Sequence, residues 1–290
     1  MVWQLLAKPL LGVVADGVKG FVQTKKAKAE LKLTEIKATT KLKEAKSIFV
    51  ANVKGGVGKS TLSIMLARAL AEKIPPQNIT VIDTDLQRTA TEFLTNSNPE
   101  INVEFLPITP AFENTNISLV QQFIKQNEFR PGHVVIVDTP AGSSQRLWNL
   151  VAEGYCVLIP TTLSNADLYP TENFIRSMDK VKARYGKSYP HLIVCPNKIP
   201  FGQKDFSLMA ERLKNHDVVI GPPLRDLASV RHFYNGKMEN WENKSNTNAQ
   251  NDFNQFGSFI EKYVLDGELD KIYSQKDSGK NILPFEKASN

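Results

Sequence analysis

Several features that would place the chain in a common class are scarce or absent. Only two cysteines occur, Cys156 and Cys195, each inside an apolar run, so no disulfide framework and no zinc-ligand spacing is available. No run of 18 uncharged apolar residues occurs either, because Lys8, Asp16 and Lys19 interrupt the most apolar candidate. We therefore expect a cytoplasmic protein of a reducing compartment, without a membrane span or a secretory signal.

An excess of charge is also absent from most of the chain. The formal net charge is +6, and residues 1–46 account for all of it with ten lysines against four acidic residues. Residues 47–290 are balanced, and the chain as a whole is 41% hydrophobic and 23% charged, which is ordinary for a globular protein. A basic arm of this kind favours nucleic acid, anionic lipid or an acidic partner.

The composition divides the chain into three segments. Residues 1–46 form an arm in which 3–22 have amphipathic helical spacing, weakened by glycines and a proline, and 24–46 are a lysine-rich helical stretch. In residues 47–265, short β-branched runs alternate with helical stretches. Residues 266–290 are a polar tail that is expected to be poorly ordered. The middle segment predicts an α/β domain with a mostly parallel sheet and helices on both faces.

Six strands and six helices are predicted in the middle segment from its periodicity. The strands are 47–52, 80–83, 102–106, 133–138, 155–160 and 191–196. The helices are 60–73, 118–127, 145–153, 170–185, 203–215 and 251–265. Asparagine and glutamine crowd residues 241–256, which predicts a loop entering the last helix.

The strongest motif lies between the first predicted strand and the first helix, and it is typical of a P-loop. It reads Lys54-Gly55-Gly56-Val57-Gly58-Lys59-Ser60-Thr61. Glycines let backbone N–H groups surround phosphate oxygens, and the following helix directs its positive end toward them. Lys59 is expected to bind the β- and γ-phosphates of ATP and Ser60 to coordinate Mg²⁺, while Thr61 could reach the α-phosphate.

Carboxylates follow two further apolar strands. Asp83 and Asp85 lie in the segment Val-Ile-Asp-Thr-Asp-Leu-Gln-Arg, and Asp138 ends the run Val-Val-Ile-Val-Asp. An aspartate that ends an apolar strand beside a P-loop can hold Mg²⁺ directly or through water, which makes Asp138 a predicted metal ligand. Taken alone, Asp83 and Asp85 could be ordinary strand-end carboxylates.

Together these segments resemble the ParA/MinD family of ATPases, whose deviant Walker A motif has a lysine before its paired glycines. The resemblance covers roughly residues 47–240, with Leu86 in place of the usual proline. It implies that Lys54 reaches across a dimer interface to the partner's nucleotide. It also implies that Asp85 orients the attacking water and that Asp83 supports the magnesium shell.

Two weaker predictions concern the second half of the chain. Asn197 follows the strand 191–196 where the family often contacts adenine, although an asparagine in a loop after a strand is common anyway. Arg225 and Arg231 are candidates for contact with DNA phosphates, and the alternative is that both are merely solvated. The segment around Asp167 is similar to plasmid-partition members of the family.

The resemblance implies an ATP-dependent homodimer that hydrolyses ATP slowly with Mg²⁺. Similarity to partition members favours nonspecific DNA binding, a ParB-like centromere-binding or adaptor protein as partner, and association with the nucleoid. The alternative is a MinD-like positioning ATPase that attaches peripherally to a membrane through residues 3–22, unless these residues pack on the body or on another copy. A metabolic ATP-dependent ligase or a carrier of metal clusters is disfavoured; cluster carriers in the family need a shared cysteine pair, and no Cys-x-x-Cys occurs.

Overall fold

Seven strands form the centre of the computed structural model, which describes residues 42, 44–128, 130–142, 144–185, 190–226 and 247–274. In chain order they are β1 Lys46–Val50, β2 Ile79–Asp83, β3 Asn102–Phe105, β4 Val134–Asp138, β5 Cys156–Thr161, β6 His191–Pro196 and β7 Val218–Ile220. All pair in parallel, in the spatial order β3-β2-β4-β1-β5-β6-β7. Parallel neighbours need crossover connections, which are usually helical.

Helices cover both faces of this sheet. Those in the described residues are α1 Lys59–Ala71, α2 Thr89–Ser97, α3 Glu113–Asn127, α4 Gln145–Val151, α5 Asn165–Tyr185, α6 Ser207–Leu213, α7 Thr247–Ile260 and α8 Glu268–Ser274. A π-helical turn, Glu261–Leu265, continues α7. Helices α1, α2, α7 and α8 bury apolar side chains against one face, and α3 to α6 bury theirs against the other.

The central strand β1 shows why the sheet is apolar throughout. Ile48 and Val50 belong to the core beneath α1, whereas Phe49 belongs to the core on the opposite face, and all three are fully buried. A strand that is buried on both faces needs apolar residues at successive positions, so its sequence does not alternate. The predicted fold class, an α/β domain with helices on both faces of a mostly parallel sheet, is confirmed.

The structure contains three elements that the sequence patterns miss, α2, β7 and α8. The prediction of a poorly ordered tail from residue 266 is wrong for α8, because Leu269 and Ile272 are buried in the core beneath α1. Helix α7 begins at Thr247, so the Asn-rich stretch is helical from that residue and the predicted loop is too long. Its burial of Phe253 and Phe256 outweighs the low helix propensity of its asparagines.

The globular part of the chain begins earlier than the predicted boundary at residue 47. Leu42 is buried, and its carbonyl accepts from the Gly132 N–H at 2.9 Å. The Ala45 N–H donates to the Glu128 carbonyl at 3.0 Å, and β1 already includes Lys46. The amphipathic stretch 3–22 lies outside the described residues. Within the described residues, no helix is long and apolar enough to cross a membrane.

Candidate functional site

The carboxyl ends of β1, β2 and β4 meet at one edge of the sheet, where most of the predicted site residues gather. Strand β4 lies between β1 and β2, and the register places Asp83 directly beside Asp138. The connection that leaves β1 runs to β2 in one half of the sheet, whereas the connection that leaves β4 crosses to β5 in the other half. In open α/β sheets, such a change of direction creates a crevice above the strands in which ligands bind.

The P-loop turns from β1 into α1 over this crevice. Gly56 and Gly58 have φ angles of 77° and 93°, a conformation that side chains strongly disfavour. Gly58 also has to be small, because a Cβ at this position would lie 2.3 Å from Nδ2 of Asn197. That amide nitrogen donates to the Val57 carbonyl at 2.8 Å, and Lys198 Nζ donates to the Gly56 carbonyl at 2.7 Å. The loop that follows β6 therefore holds the P-loop in its curled shape.

Lys59 places a nearly buried ammonium group at the start of α1. Lys59 is 7% exposed, and its Nζ donates to the Lys54 carbonyl at 3.1 Å. Burial lowers the pKa of Lys59, and the charges of Asp138 and Asp85 oppose that shift. A cation in this position, at the positive end of a helix, is stabilised by an anion such as a phosphate group.

Asp138 is fully buried beside the first turn of α1. Ser63 Oγ donates to its Oδ1 at 3.0 Å, and the Ser60 hydroxyl also hydrogen-bonds to this carboxylate. Burial raises the pKa of Asp138 to about 7, the neighbouring Asp83 acts in the same direction, and the two serines oppose the shift. A cation bound beside this carboxylate would therefore stabilise its ionised form.

The residues around Asp138 fit a divalent cation. Its Oδ2 is buried and has no hydrogen-bond partner among the residues that the structure describes, while Ser60 lies against the same carboxylate. No group of three or more His, Cys, Asp or Glu side chains in the described ranges could hold a metal by itself. Mg²⁺ typically takes one or two protein ligands and completes its shell with water and phosphate oxygens. Ser60 and Asp138 would therefore hold Mg²⁺ together with a nucleotide.

Asp83 has a supporting position that the sequence does not reveal. Its carboxylate is fully buried and accepts from Thr91 N at 2.9 Å, Thr91 Oγ1 at 3.0 Å and Asp85 N at 3.1 Å. Burial raises the pKa of Asp83, and the bonds from Thr91 oppose the shift. Three donors fix the loop between β2 and α2, so Asp83 positions Asp85. Its predicted place in the magnesium shell stays a prediction.

Asp85 lies at the rim of the crevice and is half-exposed. Its Oδ1 accepts from the Gln87 N–H at 2.9 Å, which shapes the start of the loop that leads to α2. Leu86, the residue in the proline position, is 63% exposed at this rim. A carboxylate in this place could accept a proton or a hydrogen bond from a water molecule near the P-loop.

Lys54 and Asp167 form an ion pair across the crevice, with 3.6 Å between Lys54 Nζ and Asp167 Oδ1. The lysine side chain is 41% exposed, so its head remains accessible from outside. Asn52 braces the same region, because its Oδ1 accepts from Lys54 N and its Nδ2 donates to the Pro160 carbonyl and to Thr171. The sequence gives no sign of this bracing, because Asn52 and Thr171 belong to different elements.

The remaining predicted residues lie apart from the phosphate crevice or are already engaged. Asn197 uses its amide nitrogen on the P-loop, and its contact with a base remains a prediction. Arg225 is not a free cation: its Nε and Nη2 donate to the Asp252 carboxylate at 2.5–3.0 Å, and Nη1 donates to Asn248. The expected phosphate contact therefore has no support at Arg225. Arg231 lies outside the described residues.

The sequence of the chain is similar to those of known proteins. The profile described as the CobQ/CobB/MinD/ParA nucleotide binding domain matches residues 48–264. The protein ParA of Rhizobium radiobacter is 26% identical over 206 residues, which cover 70% of this chain and 89% of that protein. The predicted resemblance to the ParA/MinD family is confirmed.

Solved structures have the same fold at low identity. The ATP complex of Cyanothece McdA(D38A) superposes with a TM-score of 0.56 at 15% identity, covering 74% of this chain and 95% of that one. A candidate plasmid partition protein of Borrelia burgdorferi bound to AMPPNP has a TM-score of 0.53 at 18% identity, covering 75% and 99%. Because the family profile matches most of this chain, the chain belongs to the CobQ/CobB/MinD/ParA family of nucleotide-binding domains.

Proposed function

We propose that the protein is an ATPase that hydrolyses ATP to ADP and phosphate and uses the reaction as a dimerisation switch. The observation that carries the proposal is the meeting of a complete P-loop with the buried carboxylates Asp83 and Asp138 at the ends of adjacent strands. Structural neighbours were solved with ATP and with AMPPNP, which is consistent with this assignment. Asp138 Oδ2 has no hydrogen-bond partner among the described residues, so it is available to a bound Mg²⁺.

Each side chain in the crevice has a role in this reaction. When bound, ATP would supply the phosphoanhydride bond that water cleaves, and Mg²⁺ would neutralise part of the phosphate charge. Lys59, which donates to the Lys54 carbonyl in this structure, would turn its ammonium group to the β- and γ-phosphates. Ser60 and Asp138 would hold the cation, and Asp85 would orient the attacking water. Asp83 keeps the loop that carries Asp85 in place.

The second half of the proposal is a homodimer in which two P-loop edges face each other. Lys54 reaches the surface at this edge, where Leu86 and Tyr169 are 63% and 59% exposed. Exposed apolar side chains around a charged crevice are typical of a surface that a partner covers. In such a dimer, Lys54 would leave Asp167 and place its charge on the partner subunit's nucleotide, as an arginine finger does.

We propose DNA as the surface to which the dimer binds, with a ParB-like centromere-binding or adaptor protein stimulating release. Similarity to ParA of Rhizobium radiobacter and to a candidate partition protein favours this cargo. Since Arg225 is committed to Asp252, the ten lysines of residues 1–46 are the better source of phosphate contacts, with Arg231 as a further candidate. Such binding would place the protein on the nucleoid.

Binding and turnover assays with two surfaces test this proposal. Full-length protein and a 41–290 variant are incubated with nonspecific duplex DNA, with anionic liposomes or with neither, in ATP and in ADP. The variant starts at residue 41 because Leu42 is part of the core. We expect ATP-dependent, salt-sensitive DNA binding by the full chain and weaker binding by the variant. Binding to liposomes instead of DNA would favour the membrane-positioning alternative, and binding to DNA irrespective of nucleotide would refute the switch.

A further inference from the structure

A cleft of about 240 Å³ lies between α4 and α5, and none of the nucleotide-site residues lines it. Its wall consists of two cations, two uncharged polar residues, an indole and a valine: Lys180, Arg184, Gln145, Ser177, Trp148 and Val181. Helix α4 is the first element after β4, whose last residue is Asp138. A partner bound in this cleft would therefore touch the helix that follows the magnesium-binding strand.

The two cationic side chains of the cleft have no polar partner among the described residues. The side chains of Lys180 and Arg184 are exposed, and neither forms an ion pair or a hydrogen bond with a described residue. Lys182, which lies between them in sequence, differs because it is largely buried and lies 3.8 Å from Asp217. Residues four apart on a helix lie on the same face about one turn apart, so Lys180 and Arg184 form a pair. Cations near a helix C-terminus are favourable by themselves, so further observations must mark a site.

Trp148 supplies that observation from the opposite wall. Its indole Nε1 is buried and has no acceptor among the described residues. The ring packs edge-on against Phe174, with centroids 6.0 Å apart, which holds the indole beside the cleft. Buried N–H groups in native proteins nearly always have a hydrogen-bond partner. An acceptor that enters the cleft, with a small shift of the neighbouring side chains, would satisfy this donor.

We propose that this cleft binds a carboxylate side chain from an acidic segment of a partner protein. The carboxylate oxygens would accept from Lys180, Arg184 and the Trp148 Nε1–H, and the methylene stem would lie on Val181. Duplex DNA fits less well, because its phosphates form a long ridge that is matched by a row of cations rather than one pair in a cleft. The proposal concerns residues outside the ATP site and does not depend on hydrolysis.

The three tryptophans allow the cleft to be tested in the full-length chain by the NMR signals of their indole N–H groups. Trp148→Phe assigns the Trp148 signal, while Trp3 in the basic arm reports separately on binding there. The probes are a hexaglutamate peptide, a hexaglutamine peptide and a nonspecific DNA duplex at matched ionic strength. We expect hexaglutamate to move the Trp148 signal saturably and hexaglutamine to leave it unchanged.

Charge-matched variants complete the test. Lys180→Gln/Arg184→Gln should weaken the hexaglutamate response of the Trp148 signal by about tenfold, since two charge-assisted contacts are lost. Lys125→Gln/Lys204→Gln removes the same charge from exposed positions elsewhere and should leave the response unchanged. The proposal is overturned if the Trp148 signal does not move, if the two double variants respond alike, or if DNA moves it and hexaglutamate does not. ATP binding measured on the same samples keeps this result separate from the proposed ATPase function.

Discussion

At the scale of single residues, the charge of Lys59 depends directly on the groups around it. Its ammonium group is nearly buried and is balanced by the charges of Asp138 and Asp85, while burial lowers its pKa. In the structure, its hydrogen-bond partner is the Lys54 carbonyl, which is neutral. A charged group that gives up water for a neutral partner gains more from an anionic one. Phosphate binding is therefore the interaction for which this position is suited.

Replacing Lys59 by alanine should nearly abolish ATP binding while the fold is retained. The glycine turn stays, but the phosphates lose the buried positive charge, a loss worth about 2–5 kcal/mol or at least about 30-fold in affinity. Isothermal titration of ATP into the variant measures this change. Lys204→Ala, which removes an exposed lysine, should bind as the wild type does. Undiminished affinity of Lys59→Ala would remove the P-loop assignment.

Asp85→Ala should bind ATP and hydrolyse it slowly. The side chain is half-exposed at the rim, so its loss leaves the phosphate cradle intact but removes the group that would orient water, at a cost of roughly 10²–10⁴ in turnover. Phosphate release under saturating ATP measures the effect. The control Glu92→Ala removes an exposed negative charge from α2 nearby and should be near wild type. Wild-type turnover by Asp85→Ala would transfer the role to another residue.

At the scale of elements, the sequence predicts those whose own residues carry the signal. The strand His191–Pro196 is predicted with its correct ends because a short apolar run marks it in the sequence, and all six of its residues are buried in the structure. Helix α2 has no such signal: it contains three threonines, and only Ala90, Phe93 and Leu94 are buried. It is stabilised from outside, because Asp83 accepts from Thr91 in its first turn. Tertiary contacts of this kind override local propensity and cannot be inferred from a window of sequence.

The burial of His191 against α8 makes the stability of the protein dependent on pH. Asp270 of α8 lies 3.2 Å from His191 Nε2 and accepts from the Tyr155 hydroxyl at 3.1 Å. Burial lowers the pKa of His191 to about 4, although Asp270 opposes the shift. As the pH falls from about 6.5 to about 4, the unfolded chain takes up a proton that the folded chain does not, so stability decreases.

We expect this histidine to contribute up to about 1.4 kcal/mol per pH unit to that loss. Urea unfolding at several pH values between 7.5 and 4.5 gives the free energy of unfolding of wild type and of His191→Gln. The difference between the two should shrink as the pH falls, because glutamine does not titrate. His133→Gln, at a half-exposed position before β4, is the matched control variant. Parallel curves for wild type and His191→Gln would contradict the assignment.

At the scale of the whole molecule, the candidate site combines residues that local sequence motifs mark and residues that only the fold brings together. The sequence marks the P-loop, Asp85 and Asp138 because each lies at the end of a predicted strand or just after it. The contact from Asn197 to the Val57 carbonyl joins positions 140 residues apart, and the pair of Lys54 with Asp167 joins the P-loop to α5. No local pattern records these distances, so the supporting contacts of the site could not be predicted.

Mixing two inactive variants tests whether catalysis needs a second subunit. Lys54→Ala lacks the charge proposed to act in trans, and Asp85→Ala lacks the residue that would orient water in its own site. A mixed dimer has one site in which an intact Asp85 faces an intact Lys54 from the other subunit. With random pairing, an equimolar mixture should recover about a quarter of wild-type ATPase activity. Phosphate release from the mixture is compared with that from each parent alone.

Two outcomes would contradict a trans role for Lys54. If the mixture is no more active than its parents although mixed dimers are detected, Lys54 serves its own site. If Lys54→Ala alone dimerises and hydrolyses ATP normally, its pairing with Asp167 is only a surface contact. As a control, Asp85→Ala mixed with Lys59→Ala should recover little, because each site of a mixed dimer lacks a residue of its own subunit, Asp85 in one and Lys59 in the other.

The attachment of Leu42 determines how a dimer would display its basic arms. The Leu42 carbonyl accepts a hydrogen bond from the Gly132 N–H. These two residues precede β1 and β4, so they lie at the edge of the sheet opposite the P-loop. If two P-loop edges close on each other, the two arms leave from the far ends of the assembly. Dimerisation then doubles the valency of the particle without altering either arm. Two weak attachments held on one body bind far more tightly than one, so nucleotide exchange could switch adhesion through avidity alone.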